Sequence, residues 1–518
     1  MAVSRMSGLA SGMDIDAMVK KMMSAERKPV DKMSQQKQIL QWQRDDYREM
    51  NTKISTYRSD KLSSYRLEAT FSVKKAEVSG SPDSISVTPT GNAEVGSTTI
   101  KVTSLATSAS NSSASSIKVT DKTFDPSATL GSQDDNLLGN FTKTNGVYDK
   151  QTFKINGTEI TIDPAVDSFN DVVKRINTKT NVTTLFDSVT GKISFSAKNT
   201  GLTNISTDGK VTNMDKIQFN DVKGDFLTNT LKVTTASGTA AQNAVFTING
   251  LETTRDSNTF TVNGLKITLK SPTTGIGALV SVQTDVDKIV ENVKSFITDY
   301  NEILKAVNVK NSEARYRDYT PLTSEQKTDM KEDDIKLWES KAKSGLLKND
   351  TILTTASSNM RFDMSTPISN GSKYNSMASL GISTGAYTEQ GKLYLDEEKL
   401  RAALAADPES VKNILTPVGD GTNKSTMGVA QRLYSDLNKT ISSFKQKAGL
   451  PSAYDSSDQD TSLLGAQLNR INKEINAQNK NLTIIENRYY TQFSAMESAI
   501  NKYNQQSSYI SQNFGSGK

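Results

Sequence analysis

Neither cysteine nor histidine occurs anywhere in the 518 residues. Without cysteine there is no disulfide, no thiol nucleophile and no thiolate metal site. Without histidine the commonest general base, the commonest metal ligand and every Ser-His-Asp arrangement are excluded. Catalysis by carboxylates or by lysine stays open, but the expectation is a non-enzyme with no cofactor. Aromatic residues make up 7% and apolar residues 35% of the chain, which suits elongated modules with much surface better than one large core. The net charge is +5, from 62 basic and 57 acidic residues scattered along the chain. Neither a nucleic-acid groove nor a polybasic membrane anchor follows from that balance. No apolar run approaches the roughly 18 to 20 residues that span a bilayer. Asp14 and Asp16 interrupt the place of a signal-peptide core, so the expectation is a chain that is cytosolic or exported without a cleaved signal.

What is present begins with SGMDIDAMVKKMMSAERKP, residues 11–29. Ile15, Met18, Val19, Met22 and Met23 fall at helical spacing and form one apolar stripe. Helix is predicted from residue 14 to about 67, kinked or restarted at Pro29, where a backbone donor is missing. Tyr47, Met50, Ile54 and Tyr57 continue as a narrow seam, read as part of an intramolecular bundle. The last helix is the longest signal: Leu464, Leu468, Ile471, Ile475, Leu482, Ile485, Tyr489, Phe493, Met496, Ile500 and Tyr503 recur mostly at 3 and 4. From 464 to 503 this makes a rod of about 60 Å.

Between the helical ends the pattern alternates. Short segments such as TTIKVTS, QTFKING, GKISFSA and AVFTING read as strands divided by Asn-Gly and Thr-Gly turns. FKINGTEITI (153–162), FTINGLETT (246–254) and FTVNGLKITL (260–269) echo one another, as a hairpin reused once in each of two β-domains. SASNSSASS, 108–116, is the best linker candidate between those domains, and TASGTAAQN, 235–243, a weaker one. Helix returns at about 284, and a polar segment (310–345) separates it from another helix. A hairpin around GISTGAYTEQGKLYLD follows, then a helix capped by Asp396 that ends before Pro408.

These elements predict a multidomain α+β chain. Long terminal helices pair in a coiled-coil or helical-bundle stalk, and β-rich head domains are inserted between them. The divisions are 1–40, an N-terminal leg partly disordered when free; 41–71, a stalk helix; 72–110 and 237–283, the two parts of an inner β-domain; 111–236, an outer inserted β-domain; 284–463, a helical domain with a hairpin; and 464–518, a C-terminal coiled-coil helix and leg. The Met-rich stripe before Pro29 is read as completed by another molecule, because chain ends often order only on a partner.

SGLASGMDIDAMVKKMMSAERKPVDKM and QWQRDDYREMNTKI resemble the N-terminal region of the flagellar filament cap family, the FliD or hook-associated protein type 2 family. The TFKING and FTING hairpins are similar to a module that family shares with flagellins. SLGISTGAYTEQGKLYLDEEKLRAALAADPESVKNIL and NRYYTQFSAMESAINKYNQQSSYISQNF resemble its C-terminal domain. PLTSEQKTDMKEDDIKLWESKAKSGLLKND looks like the version found in Bacillus-like bacteria. The resemblance is weakest at about 115–235. It implies an extracellular protein at the distal tip of the flagellum, exported unfolded through the type III apparatus with the help of a flagellar export chaperone. It implies a ring of copies, commonly a pentamer, that contacts flagellin and hook–filament junction proteins, retains flagellin and promotes its polymerisation. The assembly-interface residues implied are Ile15, Met18, Val19 and Met22 on the N-terminal leg. On the C-terminal helix they are Leu482, Ile485, Tyr489, Phe493, Met496, Ile500 and Tyr503. Methionine suits such contacts because its side chain adapts to changing partners.

Two other readings stay open: a flagellin-like structural subunit, and a surface adhesin whose β-domains bind host mucin. KEDD (331–334) and DEE (396–398) read as solvated or helix-capping groups, not a glycosidase pair. DSSDQD (455–460) lacks the glycine and distal glutamate of a calcium loop. Trp42 and Trp338 fit interface or core packing equally.

Overall fold

The computed structural model describes residues 13–207, 210–450 and 460–514. The chain forms two compact units, one of residues 1–72 with 286–518 and one of residues 73–285. In the first, the N-terminal helix Ile15–Thr56 continues through a π-helical turn, Tyr57–Leu62, to Tyr65. It runs through Pro29 as one helix and does not restart there. Pro29 and Ala25, whose carbonyl loses its donor, are both exposed, so water can satisfy that carbonyl.

Helices Val286–Ser312, Thr351–Ser365, Val429–Ala448 and Leu463–Phe514 complete the principal framework of this unit. The seam residues Tyr47, Met50, Ile54 and Tyr57 are all buried within it. Tyr47 packs against Phe444 with ring centroids 5.8 Å apart, and its hydroxyl donates to Asp350, the N-cap of Thr351–Ser365. The seam is intramolecular, as its spacing predicts. Asp396 caps Glu397–Ala406 through the Lys399 N–H, and Ile382–Thr384 pairs antiparallel with Leu393–Leu395. The 310–345 segment contains helices Ser324–Thr328 and Glu332–Lys343, which sequence alone left undivided. It is tied to the N-terminal helix where Gln35 Nε2 donates to Pro321 O at 2.7 Å. Trp338 Nε1 donates to Thr320 O, and its ring lies 4.6 Å from Tyr319. Glu332, Asp333 and Asp334 occupy the first turn of their helix, where the dipole favours carboxylates. DSSDQD lies outside the described residues except for Asp460.

The second unit holds two cores. One lies between a five-stranded sheet, ordered Lys74–Ser79, Ala278–Thr284, Gly96–Ser104, Ala244–Ile248, Leu251–Arg255, and a three-stranded sheet of Thr259–Val262, Leu265–Leu269 and Ile85–Pro89. The other joins two three-stranded sheets to helix Phe169–Lys179. The first core includes Ala106 and Ala244, and the second Ala109 and Ala241, so the chain passes between cores at both places. These crossings are not free linkers. Ser110–Ser112 is a strand, and bridges join Thr107 to Gln242 and Ser110 to Thr239. The two passes satisfy each other's backbone groups, which a linker would leave to water.

The repeated Asn-Gly hairpin occurs three times, once in the second core and twice in the first, not once in each. Asn156, Asn249 and Asn263 have φ of 48°, 48° and 47°, each followed by a glycine at positive φ, the signature of a two-residue type I′ turn. Their surroundings differ. A Cβ on Gly250 would meet open space, whereas one on Gly264 would lie 2.6 Å from the Ala93 backbone nitrogen. Gly250→Ala is therefore expected to destabilise by about 1 kcal/mol and Gly264→Ala by clearly more, as measured by thermal unfolding.

In the second core Arg175 holds Asp167 by two bonds of 2.7 and 2.9 Å and also donates to Thr161 O. The guanidinium keeps the Asp167 carboxyl below its ordinary range. The stability it contributes is therefore full above the unfolded carboxyl range near pH 4 and lost as pH falls. Arg175→Ala is expected to cost about 1–3 kcal/mol at neutral pH and to flatten the acid side of the denaturation profile.

Candidate assembly interface

Asp14 starts the N-terminal helix by accepting from the Ala17 N–H at 2.9 Å, leaving Ile15 as the first apolar residue. Ile15, Val19 and Met23 recur at steps of four, and with Val30 they are buried in one cluster with Leu482 of the C-terminal helix. Met33, Ile475, Ile485, Tyr489, Tyr490 and Phe493 border it, half-buried. The helices run antiparallel. Tyr490 OH donates to Asp16 at 2.8 Å near one end, and Arg48 pairs with Asp460 at 3.0 Å near the other. Tyr489 OH donates to Glu26 at 3.0 Å, and Arg48 Nε donates to Ala448 O. The Arg48 fork thus joins the end of Val429–Ala448 to the approach of the last helix, a use of Arg at a helix C-terminus.

The sequence-derived residues divide by position. Ile15, Val19 and Leu482 are inside the helix pair, and Ile485, Tyr489 and Phe493 line its edge. Met18 and Met22 are 39% and 40% exposed on a flank of the same stripe. Met496 and Ile500 are half-buried, and Tyr503 is 71% exposed. The helix continues through Phe514, with Tyr509 and Ile510 also exposed. Asp16 and Glu26 were absent from the expected set. The signal that could have found them is two carboxylates on the N-terminal helix facing the adjacent Tyr489–Tyr490 pair of the C-terminal helix. Among the described residues, no helix is long and apolar enough to cross a membrane.

Residues 11–109 match the family model described as the flagellar hook-associated protein 2 N-terminus, and residues 241–505 that of its C-terminus. The chain is 32% identical to flagellar hook-associated protein 2 of Halalkalibacterium halodurans, over 98% of this chain and 99% of that one. The chain belongs to the flagellar hook-associated protein 2 family. Within the family it is also 26% identical to the Escherichia coli K12 member, over 98% and 97% of the two chains. A crystal structure of the D1-D2-D3 domains of the Escherichia coli flagellar cap protein FliD shares its fold, with a TM-score of 0.51 at 20% identity. That alignment covers 82% of this chain and 99% of that one. The mixed α+β architecture, long terminal helices with several β-sheets, is thus a fold of the FliD family. Residues 110–240, between the two family models, include most of the second β core.

Proposed function

We infer that this chain caps the growing end of the bacterial flagellar filament, as an assembly factor that retains exported flagellin and promotes its polymerisation. The observation that carries the reading is the 32% identity along nearly the whole chain to a flagellar hook-associated protein 2. The cap works by differential binding, with no covalent step. Copies form a ring, taken as a pentamer, seated on flagellin at the extracellular tip and first assembled on the hook–filament junction proteins. A ring on a helical lattice cannot match every site equally, so one gap stays open for the next subunit. Movement of the cap requires contacts that are individually weak. A narrow apolar flank between polar faces, like that of the exposed Met18 and Met22, supplies such contacts better than a broad apolar face.

The residues of the candidate set outside the helix pair, Met18, Met22 and Tyr503, remain for other chains. The C-terminal helix from about 464 to 510 is the segment held by the export chaperone before passage, unfolded and without a cleaved signal, through the type III apparatus. The test is deletion of the gene followed by assay of cells and medium. Bare hooks with abundant monomeric flagellin in the medium, reversed by adding the purified protein, are expected. Absence of flagellin from both cells and medium would instead mark a bulk subunit.

A further inference from the structure

Met18, Met22, Ala25 and Pro29 form an exposed apolar strip on the N-terminal helix. At about 100° per residue, Lys21, Lys28 and Lys32 lie in one row along its border. All three lysines are exposed, and among the described residues none is held in an ion pair. On another side of the same helix is a groove of about 610 Å³, closed by helix Ser324–Thr328 and by the C-terminal helix. It carries Asp16, Asp31, Glu325, Asp329 and Glu486 against Lys20 and Arg27. Asp16 accepts from Tyr490, while the other four carboxylates have no ion-pair partner among the described residues. The helical repeat separates the lysine row from the groove by about 120° at the same level of the helix.

We propose that the methionine strip and lysine row of one copy dock into the acidic groove of a second copy of this chain. The charges are complementary, both faces are unpaired, and they lie on different sides of one element. Because the two faces differ, the contact can repeat head to tail into a ring, and the stoichiometry read by sedimentation distinguishes this from a reciprocal two-fold dimer in which each strip fills the other copy's groove. Burying the methionine strip supplies the apolar area, and the charged rows set register and partner orientation. The 310–345 segment thereby acquires a role, since its helix Ser324–Thr328 furnishes one wall of the groove.

The inference rests on the ring reading, and the test separates the two. Self-association of the full chain is measured by sedimentation velocity at low and high salt. Two variants are compared, Lys21→Glu/Lys28→Glu/Lys32→Glu and Asp31→Lys/Glu325→Lys/Asp329→Lys. Circular dichroism checks that both remain folded. Each variant is expected to weaken association at least about tenfold. An equimolar mixture, or one chain carrying both reversals, is expected to recover it, because opposite charges meet again. Association of the native chain is expected to weaken as salt rises. A native chain that associates while neither variant changes it overturns the docking and leaves the ring reading standing. Variants that lose flagellin binding but associate normally overturn the docking in the same way. A native chain monomeric at every concentration overturns both.

Discussion

Lys424→Met is expected to lower the unfolding free energy of the helical unit by about 3–5 kcal/mol at neutral pH. Lys424 Nζ lies 2.7 Å from Asp363 and 2.5 Å from Asp436, whose side chains are 0% and 4% exposed. These carboxylates belong to helices Thr351–Ser365 and Val429–Ala448, and the lysine comes from the turn Lys424–Thr426. Without it two buried carboxylates face each other, with Lys439 the remaining cation on Asp436. Arg432 is committed elsewhere, donating to Thr366 O and Pro367 O beyond the end of Thr351–Ser365.

The pH dependence follows from Asp363, whose carboxyl burial pushes up to about 6 despite Lys424. The folded chain binds that proton more tightly than the unfolded chain does. Its contribution to stability therefore falls as pH rises from about 4 to about 6. In Lys424→Met the fall is expected to be larger and to extend above pH 6. Asp363→Asn in the same chain should flatten it and recover part of the loss. Urea denaturation across pH 4 to 8 measures all three. A Lys424→Met loss below about 1 kcal/mol would show that the pair behaves as an exposed one.

Val19→Asp is the second large effect. Val19 is 1% exposed, packed in the cluster with Leu482, and a carboxylate there has no cation within the cluster. The expected cost is about 3 kcal/mol or more, confined to the helix pair. Hydrogen exchange should accelerate in 15–30 and 475–493 while the bundle around Tyr47 and Phe444 keeps its protection. Cells carrying the variant should lose swimming. Met22→Asp, at a flank position 40% exposed, should leave exchange in the pair unchanged. Equal acceleration in both variants would mean that the flank and the seam are one surface.

Periodicity reveals where an apolar stripe lies, but not which part of it the same chain covers. Ile15 and Met18 look alike in sequence, yet only the first faces Leu482. Helix Val429–Ala448 escaped notice for a related reason. Arg432, Asp436 and Thr440 are among its buried residues, so polar side chains break the apolar period at positions that face inward. The Thr366 O and Pro367 O partners of Arg432 and the Lys424 partner of Asp436 lie outside the helix, while Thr440 donates to Asp436 O within it. The Asn-Gly turns and the Asp396 cap were legible because a single residue's backbone preference decides them. SASNSSASS was misread because composition cannot show that Asn111 donates to Thr234 O, 123 residues away. The groove was equally hidden, since its acidic wall comes from a segment with no apolar period of its own.

The capping role is tested most directly by immunogold electron microscopy of intact cells with antibody to this chain. Label is expected at the distal ends of filaments, with none along their shafts. Label distributed along the shafts would contradict the capping role and would make the chain a bulk subunit.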